Sequence, residues 1–295
     1  MQNLSDQIRQ DVEYAFSCIA KYMEYFPREN IHGSSVCEIG PGKNMAVCLT
    51  FKSLGAAGSY AVDKYLKPWN EEYHPEFYKA MAYAVRSRWP DADMNPFIQC
   101  IERNGHAAEN VSILAEDAEI LAGIPDASLD FLYSWAALEH LYAPPRAFAR
   151  FAALTKPGGL GMHQVDFRDH HDFSRPLEFL LHLYRWNQEP DEAAYAWLAG
   201  RLGRSANQAR LEGFDANGLI RRICGYHGNS YRHVDYDALW AGNGFSVEGF
   251  EKNMSAGETY LGDFLPRLAH ADVPCRRLSK NNLDVVSGLY KLRKV

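Results

Sequence analysis

Polar and glycine residues occur where the first predicted strand ends. Glu38, Gly40 and Gly42 form a Glu-x-Gly-x-Gly segment that begins within the apolar run SVCEI, and a helical pattern begins directly after them. Glycines in such a turn let the backbone come close to a ligand without a Cβ clash. Amides at the following helix start favour polar or anionic ligand groups, while the carboxylate of Glu38 can hold a cation such as an α-amino group. The segment therefore predicts a ligand-binding turn.

A second carboxylate, that of Asp63, lies at the end of the next predicted strand. A carboxylate at this place can accept hydrogen bonds from both hydroxyls of a ribose. A dinucleotide fingerprint would also need a third glycine or an alanine where this chain has Met45. The spacing therefore disfavours a dehydrogenase, which we keep only as an alternative.

The elements that would position these residues alternate along the chain. Such alternation implies right-handed crossovers and a parallel sheet that is covered on both faces. We predict a helix over 136–153 that bends at Pro144-Pro145, and a turn over 156–159. Apolar patterns predict strands over 35–39, 58–63, 110–115, 129–134, 160–167, 244–250 and 283–292, and further helices over 5–26, 43–55, 75–89 and 236–243.

Composition narrows the class of protein. The 295 residues are 47% hydrophobic and 23% charged, which is typical of a globular chain and excludes a disordered chain, a collagen or a coiled coil. The net charge of −6 disfavours nucleic acid and anionic membranes as partners. None of the six cysteines forms a C-x-x-C pair, and no segment resembles a signal peptide or a membrane span. We expect buried free thiols and a cytoplasmic protein.

Four motifs in the expected order carry a family resemblance. They are the Glu-x-Gly-x-Gly segment, Asp63, the pair Asp117-Ala118 after the third strand, and Leu-x-Lys-Pro-Gly-Gly before the fifth. Together they resemble class I S-adenosylmethionine-dependent methyltransferases, closely over 33–167 and more loosely over 244–292. The resemblance implies an α/β fold, a doubly wound Rossmann-like, seven-stranded, mostly parallel sheet with helical insertions.

The resemblance also implies which residues bind the cofactor, S-adenosylmethionine. Glu38, Gly40 and Gly42 would line its methionine and ribose part, and Asp63 would bind the ribose hydroxyls. Asp117 would accept from the adenine amino group, and the Ala118 amide would donate to the ring. Ser134 and Trp135 would border the methionine end and the transferred methyl group.

Several polar residues follow the fourth and fifth strands, where ligands of parallel sheets bind. Methyl transfer to a hydroxyl needs a general base, and our order of preference is His163, then His170, then His140. His163, Asp166, Asp169 and His170 have the residue types that bind a divalent ion, and a metal site is an alternative. We expect no metal, because the spacing of these side chains fits no metal cage that we can name. The predicted acceptor-binding residues are Asp166, Arg168, Arg175 and Glu139.

The second half of the chain contains a long segment without a clear strand. We predict three parts: an N-terminal helical segment over 1–32, a cofactor-binding core over 33–167 and 231–295, and a helical lid over 168–230 that covers the acceptor. Residues 64–109 are a second insertion. Aromatic rings could line the acceptor pocket, although core packing is the expected role of most: Tyr184, Trp186, Tyr226, Tyr231 and Trp240.

The sequence favours an O-methyltransferase that acts on a sugar or a hydroxylated metabolite. A small-molecule acceptor is the expected partner, without nucleic acid or membrane, and a homodimer is left open. N-methyl transfer to a small amine is the alternative enzyme, since an amine needs less help from a base. A binding module that retains the cofactor pocket without catalysis is the alternative from another class.

Overall fold

The computed structural model describes residues 3–65, 67–182 and 192–295. In these ranges seven strands form one sheet in the order β3-β2-β1-β4-β5-β7-β6. The neighbours β1 and β2, β1 and β4, and β2 and β3 run parallel. The strands are β1 (Ser35–Ile39), β2 (Gly58–Val62), β3 (Val111–Leu114), β4 (Leu129–Trp135), β5 (Thr155–Asp166), β6 (Phe245–Ser255) and β7 (Val285–Lys294).

The helices are interleaved with the strands, and three short 3-10 turns in the described ranges cover Leu138–His140, Glu178–Leu181 and Pro274–Arg277. The helices are α1 (Leu4–Tyr25), α2 (Arg28–Ile31), α3 (Ala46–Ser53), α4 (His74–Arg88), α5 (Asn95–Glu102), α6 (Pro144–Leu154), α7 (Glu192–Arg201), α8 (Ala206–Leu211), α9 (Ala216–His227), α10 (His233–Gly242), α11 (Glu258–His270) and α12 (Lys280–Asp284).

The chain divides into two compact units. Unit 1 contains Met1–Trp135, Ala149–His163 and Lys291–Val295, and unit 2 contains Ala136–Phe148 and Gln164–Tyr290. Our three-part division of the chain at residues 32, 167 and 230 stays a prediction. No helix in the described ranges is both long and apolar enough to cross a membrane.

Aromatic packing on β4 forms part of the core of unit 1. Tyr22 of α1 and Phe51 of α3 both meet the ring of Tyr133, with centroid distances of 4.7 and 5.1 Å. Phe131 lies beside Tyr133 at 5.2 Å. Offset and edge contacts of this kind are favourable beyond the area they bury. Through these rings, α1 and α3 are fixed against the strand that ends at Trp135.

Two apolar clusters stabilise the helices of unit 2. The first lies among α7, α8 and α9, and the second among α11, α12 and the Glu178–Leu181 turn. Trp240 is fully buried, with its ring 4.0 Å from that of Phe148, so core packing is its role. Tyr184 and Trp186 lie outside the described residues. All six cysteines are buried free thiols, as predicted.

Two local predictions need correction. The chain does not bend at Pro144-Pro145, because α6 begins at Pro144 and a separate 3-10 turn precedes it. Proline fits the first turn of a helix, where its missing N–H would have no partner in any case. The Lys-Pro-Gly-Gly segment lies within β5 rather than before it, although Gly158 has the positive φ of 78° that we associate with a turn.

Candidate functional site

The glycine turn follows β1 and lies beside the end of β2. Gly40 and Gly42 have φ angles of 72° and 74°, which L side chains rarely adopt. The Gly40 amide donates a hydrogen bond to the Val62 carbonyl at 2.8 Å, and the Gly42 amide donates to Asp63 Oδ2 at 3.3 Å. A Cβ added at Gly42 would meet no atom of the described residues within 4 Å. The turn is therefore open beside Gly42, and Asp63 holds it.

Glu38 precedes the glycine turn and is only 6% exposed. Its Oε2 accepts a hydrogen bond from the Cys48 thiol at 3.1 Å. Burial raises the pKa of Glu38 to about 7, against the opposing effect of the Cys48 hydrogen bond. Among the described residues no lysine or arginine pairs with this carboxyl group. A buried carboxylate without a cation beside it suits a positively charged ligand group.

Lys64 connects the ends of β2 and β3. It follows Asp63 in sequence, and its Nζ donates to Asp117 Oδ2 at 2.7 Å. The other oxygen of Asp117 accepts from the Glu119 amide at 3.1 Å, so this aspartate shapes a turn. The described residues between it and β4 contain no helix. Ala118 is half-buried within that turn. The two aspartates predicted to bind ribose and adenine thus lie at neighbouring parallel strands.

Ser134 and His163 meet inside unit 1. The Ser134 hydroxyl lies 2.8 Å from His163 Nδ1, and both side chains are fully buried. Burial lowers the pKa of His163 to about 3, so its imidazole is neutral at neutral pH. Trp135, the last residue of β4, is half-buried and meets the edge of Tyr22 at a centroid distance of 6.0 Å.

In unit 2, hydrogen bonds hold the 3-10 turn that carries Glu139 and His140. Asn229 Nδ2 donates to the Leu138 carbonyl at 3.3 Å, and the Asn229 amide donates to the Glu139 carbonyl at 2.5 Å. The Tyr236 hydroxyl donates to the Leu138 carbonyl at 3.0 Å. These bonds fix the backbone of the turn and therefore the starting points of both side chains.

The carboxyl group of Glu139 is 1% exposed. By distance and angle, neither of its oxygens has a hydrogen-bond partner within the described ranges, although the backbone amides of Glu139 and Asp166 lie close enough to lower its pKa. Burial raises its pKa well above the ordinary value, and the charge of Asp166 adds to that rise while Arg168 opposes it. A buried polar group without a partner is rare in folded proteins. A ligand that donates a hydrogen bond, or carries a positive charge, would satisfy it.

Two histidines face one another near Asp166. The rings of His140 and His170 lie 5.0 Å apart at 63°, and His140 Nδ1 is 3.2 Å from the Cys224 carbonyl. His170 Nε2 is 3.7 Å from Asp166 Oδ2. Arg168 donates hydrogen bonds to the same carboxylate from Nε at 2.9 Å and from Nη2 at 2.6 Å. Burial lowers the pKa of both histidines, that of His170 to about 4.

Comparison with protein families decides the class of the chain. The family model described as "Methyltransferase domain" matches residues 12–249. The chain belongs to this family. Membership and the strand order together make it a class I S-adenosylmethionine-dependent methyltransferase. The family resemblance, the fold class and the cofactor predicted from the sequence are thereby confirmed.

The methyltransferase is also similar to solved structures at low sequence identity. One is an S-adenosylmethionine-dependent methyltransferase from Mesorhizobium loti, with 14% identity, 90% of this chain and 92% of that chain covered, and a TM-score of 0.43. Another is phosphoethanolamine N-methyltransferase 2 of Haemonchus contortus in complex with S-adenosyl-L-methionine, with 11% identity, 89% and 49% covered, and a TM-score of 0.43. No curated protein matches the chain.

The structure of the methyltransferase groups most of the predicted site residues within each unit. In unit 1 it brings Gly42 close to Asp63 and Ser134 close to His163, as described above. In unit 2 it brings Asp166, Arg168 and His170 together. Arg175 stands apart from these, because its Nη2 pairs with Glu178 Oε2 at 2.9 Å and its side chain is exposed.

Four polar residues of this methyltransferase that the sequence did not single out also contribute. Cys48 donates to Glu38, Lys64 holds Asp117, and Asn229 holds the 3-10 turn. Arg201 forms a buried pair with Asp169, with Nη1 and Oδ2 2.7 Å apart. Of these four, only Lys64 could have been singled out from the sequence, because it is adjacent to Asp63. Among the described residues no group of three or more His, Cys, Asp or Glu side chains is arranged to hold a metal ion.

Proposed function

We propose that residues of unit 1 bind S-adenosylmethionine. The observation that carries this proposal is the buried Glu38 carboxyl without a cationic partner in the described structure, beside an open glycine turn. Glu38 would hold the α-amino group of the cofactor, and Asp63 would accept hydrogen bonds from the ribose hydroxyls. When bound, the cofactor supplies an electrophilic methyl group on a sulfonium.

The remaining cofactor contacts follow the ends of β3 and β4. Asp117, oriented by Lys64, would accept from the adenine amino group, and the Ala118 amide would donate to the ring. Ser134 and Trp135 would border the methionine end. Gly40 and Gly42 would let the backbone approach the cofactor without a Cβ between them.

Calorimetric titration with S-adenosylmethionine and S-adenosylhomocysteine tests the cofactor site. Asp63→Asn should weaken binding of both by about 10-fold to 100-fold, because hydrogen bonds to a charged group are lost. Asp91→Asn, at an exposed aspartate after α4, serves as the matched control and should leave the affinity unchanged. Equal affinities of Asp63→Asn and the wild type, or binding of NAD in place of this pair, would refute the assignment.

For the acceptor, we propose a hydroxyl of a small molecule, a sugar or a hydroxylated metabolite. A neutral His170 would take the hydroxyl proton as the oxygen attacks the methyl group in line. The imidazolium formed in this step would be stabilised by Asp166, whose Oδ2 lies 3.7 Å from Nε2. The ring of His140 lies against the ring of His170. Arg168 and Glu139 would bind other polar groups of the acceptor. Arg175, which is exposed and paired with Glu178, would contact only a part of the acceptor that extends beyond this cluster. The described part of 168–230 would cover the acceptor.

His163, first in our order of preference from the sequence, remains a candidate base. Its side chain is fully buried with Nδ1 against Ser134, whereas a general base must reach the proton of the acceptor. Its low pKa, about 3, does not separate it from His170, whose pKa is about 4. A neutral His163 that orients Ser134 at 2.8 Å accords with both observations. We therefore place His170 first.

N-methyl transfer to a small amine is the second candidate, and the Glu139 carboxyl favours it. The ammonium group of the acceptor would pair with this carboxyl group, which would release its proton on binding because burial raises its pKa in the free protein. In that case no strong base is needed in the transfer step: the ammonium group would lose one proton to solvent before its nitrogen attacks, and the methylated product would lose a second proton after the S–CH3 bond has broken.

Mutants separate these roles once a panel of hydroxylated and amine-bearing small molecules, with labelled cofactor, has given a methylated product. For a hydroxyl acceptor, His170→Gln should lower turnover by about 100-fold, the typical effect of losing a general base. His171→Gln, at the exposed neighbouring histidine, should have little effect. Full activity of His170→Gln together with a large loss in His163→Gln would reverse our order. Methylated nitrogen in the product would support the amine alternative.

A further inference from the structure

The loop between the glycine turn and α3 is held by side chains from the insertion over 64–109. His74 Nε2 lies 2.9 Å from the Lys43 carbonyl. The Met45 amide donates to the Tyr78 hydroxyl at 3.0 Å, and that hydroxyl lies 2.7 Å from His106 Nδ1. His74 and Tyr78 are both buried residues of α4. The insertion therefore reaches the loop at two backbone groups.

The direction of each hydrogen bond follows from its partners. The Asn70 amide donates to His74 Nδ1 at 2.7 Å, so a neutral His74 carries its proton on Nε2 and donates it to the Lys43 carbonyl. The Tyr78 oxygen accepts from Met45, which leaves its own proton for His106 Nδ1. Burial lowers the pKa of His106 to about 4, so its ring is neutral at neutral pH, and the tautomer with the proton on Nε2 accepts the Tyr78 proton at Nδ1.

These bonds occupy the first amides of α3. Met45 precedes the helix and its amide is taken by Tyr78, while the next amide, that of Ala46, donates to Asn44 Oδ1 at 3.1 Å. The sequence had suggested that amides at this helix start are available to a polar or anionic ligand. In the structure, the amides of Met45 and Ala46 already donate hydrogen bonds to groups of the protein itself. The loop end is thus fixed from inside the protein.

We infer that Tyr78, oriented by His106, is a positioning residue for the cofactor. It fixes the Met45 amide, and with it the path of the loop from Gly40 to Met45, without touching the cofactor. This inference rests on the cofactor half of the proposed function. A loop held in its binding conformation does not have to be ordered by the ligand, and a loop that spends less time in that conformation binds with a proportionally weaker apparent affinity.

Titration of Tyr78→Phe with S-adenosylmethionine and S-adenosylhomocysteine tests this role. The Phe variant keeps the buried ring and loses only the hydroxyl, so we expect the dissociation constant to rise about tenfold. Tyr83→Phe, an exposed tyrosine of the same helix at 77% exposure, is the matched control and should bind like the wild type. Hydrogen exchange of the segment 43–46 should become faster in Tyr78→Phe only.

Variants of His106 show whether orientation of the hydroxyl matters. In His106→Asn the amide oxygen can still accept from Tyr78, so the affinity should stay closer to that of the wild type. His106→Leu removes the imidazole acceptor and leaves only the Cys100 thiol beside the hydroxyl, so it should bind more weakly than His106→Asn. A role confined to folding would lower the melting temperature of all these variants without changing the affinity of the folded protein.

The results distinguish failure of the positioning role from failure of the proposed cofactor site. If the wild type binds neither compound, the cofactor assignment itself is wrong. If the wild type binds and the folded Tyr78→Phe variant has the same affinity, the positioning role is refuted. Should Tyr78→Phe not fold, the contrast between His106→Asn and His106→Leu decides, and equal affinities of these two would refute the role.

Discussion

Two carboxyl groups, those of Glu38 and Asp63, would make the charged contacts to the cofactor, and their position follows from the chain itself. Glu38 and Asp63 end successive strands, and parallel neighbours bring such ends to one edge of the sheet. Their partners could not be predicted in the same way. Cys48 reaches Glu38 from the next helix, and Asn229 reaches the 3-10 turn from 91 positions along the chain. Hydrogen bonds over such separations leave no periodic pattern in a sequence.

The pKa of Glu38 makes binding of the cofactor sensitive to pH. The carboxyl must be ionised to hold an ammonium group, and its pKa in the free protein is about 7. Affinity for S-adenosylhomocysteine should therefore be highest just above pH 7 and fall about tenfold for each pH unit below it. Isothermal titration between pH 5.5 and 7.5 measures this slope.

The variant Glu38→Gln is the control for that slope. It cannot ionise, so it should bind weakly and with little dependence on pH over the same range. Matching slopes in the wild type and Glu38→Gln would mean that another group controls binding, and Glu38 would then not hold the amino group.

At the scale of elements, periodicity located most strands and helices, and errors arose where non-local bonds decide. The segment 136–153 has the apolar pattern of one helix, yet α6 starts only at Pro144. The preceding residues take a 3-10 turn, and Asn229 and Tyr236 donate hydrogen bonds to its carbonyls. Ala136, where this turn leaves β4, has a positive φ of 52°. Backbone strain of this kind persists only where surrounding structure enforces it.

The insertion over 64–109 shows that a sequence pattern can predict a helix without predicting what its side chains do. Apolar spacing predicts helix α4, but it does not predict that side chains of α4 hold the loop before α3. That task depends on the hydroxyl of Tyr78 and on His74, whose partners lie in the loop before α3. A sequence shows that such residues are aromatic or polar, while only the packed structure shows which backbone group each one meets.

At the scale of the whole molecule, two kinds of ionisable group have opposite effects on how stability depends on pH. One is a carboxyl group whose pKa is raised by burial, and the other is a histidine whose pKa is lowered by burial. Burial raises the pKa of the Glu38 carboxyl to about 7, so the folded state keeps a proton that the unfolded chain releases above about pH 4.5. This group stabilises the cofactor-free fold at low pH, and its contribution is lost as pH rises towards 7. Burial lowers the pKa of His233 to about 4, so its contribution is present above pH 6.5 and is lost as pH falls towards 4.

Two variants should therefore change the pH dependence of stability in opposite directions. Relative to the wild type, Glu38→Gln should become more stable as pH rises from 5 to 7 and then level off. His233→Gln should instead gain relative stability as pH falls from 7 to 5, because the unfolded variant no longer takes up that proton. The midpoint of thermal unfolding, measured without cofactor at pH 5, 6, 7 and 8, gives both differences. Curves that stay parallel to the wild type across this range would show that neither group has the shifted pKa which its burial implies.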